Sequence, residues 1–108
     1  AHEFFHAWNV ERIRPASLEP FDLEEANMSG ELWFGEGFTS YYGPLVMRRA
    51  GVYSDADFVR EMGSAINTVL TSPGRQFRSV VEMSQLAPFR DAAVSIDPTN
   101  FENTFISY

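Results

Sequence analysis

The chain contains no cysteine. That excludes disulfides and thiolate metal sites, and it leaves imidazole and carboxylate as the side chains able to hold a transition metal. Lysine is absent as well: all eight basic residues are arginine, set against fifteen acidic residues for a net charge of -7. Nucleic acid and anionic membrane surfaces both require a basic face, so this balance argues against either as a partner. There is no apolar run long enough to cross a bilayer and no basic-then-apolar export leader. No compartment follows, because a fragment would lack such a leader in any case. Hydrophobic residues still make up 44% of the 108 residues, enough for one domain with a modest core rather than a disordered segment.

The residues that are present read as an all-α chain of about four to five helices. Phe4, Phe5 and Trp8 place apolar bulk at helical spacing and predict a first helix over Ala1 to about Val10. The stretch from Glu11 to Ser29 holds two prolines and no sustained periodicity, which predicts a long ordered loop with a short turn around "DLEEA". A second helix is expected from Gly30 to Arg49, capped by Ser29 or Asn27, stopped by Gly51, and bent or split at Gly43-Pro44. Ser54 with Asp57, and Ser79 with Glu82, have the spacing of capping boxes and predict a third helix ending near "TSPG" and a short fourth closed by Pro88. Thr99 with Glu102 suggests a last helix over "NFENTFISY". Helices are thus expected to be cut at both ends, as in a single partial domain spanning residues 1–108.

Both histidines of the chain fall in His2-Glu3-Phe4-Phe5-His6. Residues four apart share a helix face, so His2 and His6 can aim ring nitrogens at one point. Glu3, rotated about 100° from His2, could lean over that point and take the proton of a water that a metal ion activates. H-E-x-x-H alone also arises on ordinary polar helix faces. Here the intervening residues are bulky and apolar, as expected of a helix set into a core.

Catalytic zinc takes three protein ligands and leaves a position for water, so a third donor is needed downstream. Glu36, in "LWFGEGFTSYY", is the best candidate, because an unpaired carboxylate among apolar residues would be costly to bury. It could instead pair with Arg12 or Arg14. Glu31 competes for the ligand role, although its place near a helix start suits dipole compensation. Thr39 and Ser40, one turn beyond Glu36, are candidates to orient an imidazole or the carboxylate, against the ordinary reading of hydroxyls that bond back to their own helix. Tyr41 and Tyr42 extend the apolar pattern and read as core aromatics.

"HEFFHAWNVERIRP", "LEPFD", "LWFGEGFTSYY", "SVVEMSQLAPF" and "NTFISY" together resemble the catalytic domain of the glycyl aminopeptidase family, gluzincin metallopeptidases that often carry a PDZ domain. The resemblance covers nearly the whole chain. It implies a helical gluzincin-type fold, zinc (Zn2+) held by His2, His6 and Glu36, and Glu3 as catalytic acid and base. It also implies a peptide substrate with a free N-terminus and a small first residue, glycine or alanine. An oxyanion-stabilising tyrosine is expected just beyond Tyr108. Two other readings stay open: a zincin endopeptidase, and a helical piece that acts only as an inert fragment or interaction module. Exposed apolar surface on such a fragment would favour a homo-oligomer.

Overall fold

The structure, a computed structural model, describes residues 1–89. Four α-helices appear there: α1 His2–His6, α2 Phe38–Arg49, α3 Asp55–Thr71 and α4 Val80–Leu86, with no strand among the described residues. Short 3-10 turns lie at Ala16–Leu18 and Pro73–Gln76, and a π-helical turn, Trp33–Gly37, leads into α2. The expected all-α architecture is present. The predicted helix over "NFENTFISY" lies outside the described residues.

Helix α2 is the hub: α1 and α3 pack on it, and α4 packs on the π turn at its N-terminal end. Helix α1 is short and has no side-chain cap, so tertiary contact must hold it. Phe5 stacks nearly parallel on Tyr42, with ring centroids 5.7 Å apart. At Gly43 the two backbones almost touch, since a Cβ added there would lie 3.6 Å from the His2 nitrogen. Phe34, Phe38 and Tyr42, four apart on one helical face, form a ring ladder beside this contact. On the far side, Met83 of α4 is fully buried, and the buried Ser84 hydroxyl accepts from the Trp33 amide at 2.8 Å while donating to the Val80 carbonyl.

The boundaries differ from the sequence expectation in three places. The first helix ends at His6 rather than near Val10, because Val10 takes φ +105° and the chain turns back to form a bridge between Asn9 and Ile13. The second helix does not begin at Gly30; it opens with the π turn and becomes α-helical only at Phe38. It is also not split at Pro44. Glycine at position 43 has no Cβ to collide with the proline ring, and α2 runs through Pro44 to Arg49. Between the first two helices, the "DLEEA" segment does turn: the Asp22 carboxylate accepts from the Glu24 amide, and the Asn27 side-chain oxygen accepts from the Asp22 amide.

Both capping boxes form. Ser54 Oγ accepts from the Asp57 amide and Asp57 accepts from the Ser54 amide, each at 3.1 Å, while Ser79 and Glu82 make the same reciprocal pair. The Ser54 hydroxyl, and next the Arg60 guanidinium, hold the Asp57 carboxyl down from 3.8 to about 2. A carboxyl depressed on folding contributes stability above its unfolded pKa and loses that contribution as pH falls toward the folded one. Carbon-detected titration should therefore place the Asp57 midpoint near 2, with α3 losing stability between about pH 4 and pH 2. Ser54→Ala should lower stability by about 1 kcal/mol and return the Asp57 midpoint toward its ordinary value.

Candidate metal centre

Helix α1 points both imidazoles at the turn that begins α2. His2 Nε2 and His6 Nε2 are 3.0 Å apart, and Glu36 Oε2 lies 3.2 Å from the first and 3.3 Å from the second. These three potential ligand atoms thus form a nearly equilateral triangle. Four ligands placed tetrahedrally about 2.0–2.1 Å from zinc are separated by roughly 3.3 Å, so the triangle has the size of one tetrahedral face. Two neutral imidazoles and one carboxylate are also a donor set that leaves a fourth position open. The residues fit zinc. The side chains of His2, His6 and Glu36 are 38%, 18% and 34% exposed, so the cluster is lodged between the helices yet open on one side.

The tautomer of His6 follows from its neighbour. His6 Nδ1 lies 3.0 Å from the Asn9 main-chain carbonyl. A carbonyl only accepts, so Nδ1 carries the proton and a neutral ring keeps its lone pair at Nε2. This is the orientation a metal-binding histidine requires. For His2 the corresponding contact is looser, with Ser40 Oγ 3.5 Å from Nδ1.

The other sequence candidates fall in different places. Glu3 is exposed on α1, next to His2, and makes no hydrogen bond or ion pair among the described residues. Thr39 is fully buried but touches neither imidazole nor carboxylate; it donates to the Gly35 carbonyl at 2.6 Å and accepts from Asn9 Nδ2 at 3.1 Å. Glu36 does not pair with Arg14, which binds Glu19 at 2.6 Å. Glu31 is engaged elsewhere: the Ser29 and Ser17 hydroxyls donate to its carboxylate, each at 2.7 Å, and hold its pKa below the usual range. Tyr42 is half-buried in the ring ladder, whereas Tyr41 is 46% exposed and lies at its margin rather than in a core.

Sequence reasoning missed Asn9. It is 4% exposed, and its side-chain amide donates to the Gly35 carbonyl at 3.0 Å, the Thr39 hydroxyl at 3.1 Å and the Phe34 carbonyl at 3.5 Å. A polar residue directly after the apolar "FFHAW" run was the available signal, since a buried amide must find partners.

No curated protein and no solved structure matches the chain. The family model described as M61 glycyl aminopeptidase matches it over residues 1–108. Set beside the histidine and glutamate cluster between α1 and α2, that match means the chain belongs to the M61 glycyl aminopeptidase family, a family of peptidases.

Proposed function

We propose that His2, His6 and Glu36 hold a catalytic zinc ion, and that the protein of which this chain forms the catalytic part is an aminopeptidase releasing small N-terminal residues, glycine or alanine. The triangle of Nε2, Nε2 and Oε2 carries the reading. When bound, zinc would supply Lewis acidity toward a peptide carbonyl and lower the pKa of water toward about 7. Glu3 takes the proton from the attacking water and passes it to the departing amine, so that the carboxylate ends the cycle as it began. Its exposure and lack of a competing partner suit a base that must stay free to move. The Asn9 carbonyl keeps the His6 proton on Nδ1, and Ser40 lies where it can orient His2. Thr39 supports the site only through Asn9 and the Gly35 carbonyl.

The alternative of an interaction module is favoured by one observation: large apolar side chains such as Phe4, Trp8, Leu23 and Phe89 are more than half exposed. Sedimentation should accordingly detect a dimer or larger species if that surface drives self-association.

Metal analysis of the intact chain should find one zinc per molecule, retained in Glu3→Gln and bound far more weakly, through the remaining two donors, in His6→Ala and Glu36→Gln. Metal content unchanged in the last two variants would remove the assigned site. In the active protein, Glu3→Gln should lower kcat by about 10²- to 10⁴-fold. Glycyl and alanyl peptide amides should be cleaved when their amino terminus is free and resist cleavage when it is acetylated. Equal rates on both would identify an endopeptidase.

A further inference from the structure

The turn that carries Glu36 is not an ordinary piece of helix. A π turn is wider than α-helix by one residue and is rarely stable by itself; it persists where neighbouring groups satisfy it. Two consecutive residues from the other side of the site do so here. The Asn9 amide donates to the carbonyls of Gly35 and Phe34 and to the Thr39 hydroxyl, at 3.0, 3.5 and 3.1 Å. Val10 presses a methyl group onto Gly35, where an added Cβ would stand 3.0 Å from Val10 Cγ2. Val10 does this in a backbone conformation, φ +105°, that β-branched residues almost never adopt. Strain of that kind persists only where its surroundings over-determine it.

We propose that Asn9 and Val10 form a clamp that sets the π register of Trp33–Gly37 and, through it, the angle at which Glu36 meets the imidazoles. Asn9 is then a positioning residue with two functions. Its main-chain carbonyl fixes the His6 ring, and its side chain fixes the turn bearing the carboxylate. One residue therefore ties donors on separate elements to a common geometry. Without the amide, the turn relaxes toward α-helical spacing, Glu36 leaves the turn at a different angle, and the donor triangle opens. This inference rests on the zinc reading of His2, His6 and Glu36.

The test is zinc affinity of the intact chain, measured by competition with a chromogenic chelator, in a double-mutant cycle of Asn9→Ala with Glu36→Gln. Asn9→Ala should weaken binding by about 10- to 100-fold. With Gln at position 36 there is no carboxylate left to position, and the further loss from Asn9→Ala should shrink to about threefold or less. Thr39→Val, which keeps the side-chain shape and removes the hydroxyl, should weaken binding in the same Glu36-dependent way; it carries the test alone if Asn9→Ala fails to fold. Equal losses with and without the Glu36 carboxylate, or no loss in either variant, would overturn the clamp. If the unaltered chain binds no zinc, the metal centre itself fails and the clamp with it. If binding requires Glu36 yet ignores Asn9 and Thr39, the clamp alone fails.

Discussion

Three lone pairs directed at one another from 3.0 to 3.3 Å repel unless a proton or a cation sits among them. His6 has already committed its single ring proton to the Asn9 carbonyl, so neutral His6 brings none to the triangle. A proton on His2 Nε2 can serve one or two of the contacts, whereas a divalent ion satisfies all three together. The surrounding architecture works to keep these atoms close. Gly43 lets the α1 backbone settle onto α2, Phe5 stacks on Tyr42 to hold α1 from the side, and the Asn9 amide holds the turn that bears Glu36.

Such an arrangement was legible in the sequence wherever local rules act. The four-residue spacing of the histidines determines a shared face whatever the rest of the chain does. Ser54 with Asp57 and Ser79 with Glu82 form their boxes because both partners lie within one turn. Glu36 stood out because a carboxylate among apolar residues needs a counterpart. The features that escaped depend on contacts between segments distant in sequence. The π turn exists because Asn9, some twenty-five residues earlier, bonds to its carbonyls, and no periodicity within 33–37 announces it. Val10 has strong β propensity and gives no warning of a positive φ. Pro44 predicts a break by local rules, and the helix continues because of the glycine before it and the packing around it.

The two imidazoles are not equivalent, and the difference follows from the same frame. His6 is 18% exposed, is the last residue of α1, and has its far nitrogen bonded to a main-chain carbonyl at 3.0 Å. His2 is 38% exposed, begins the helix, and has only a 3.5 Å contact to a serine hydroxyl behind it. The main chain at His6 is also tied down beyond the helix, its carbonyl accepting from the Glu11 amide at 3.1 Å. His6 and Glu36 therefore form the rigid edge of the triangle, braced from both sides by Asn9, while His2 is the adjustable corner. On the proposed zinc reading, His2 is the ligand with the most room to adjust, and Glu3, next to it in sequence, shares its helix end. On the proposed reading, the base Glu3 sits beside the less braced donor, and the two better-held donors lie behind the solvent-facing side of the cluster.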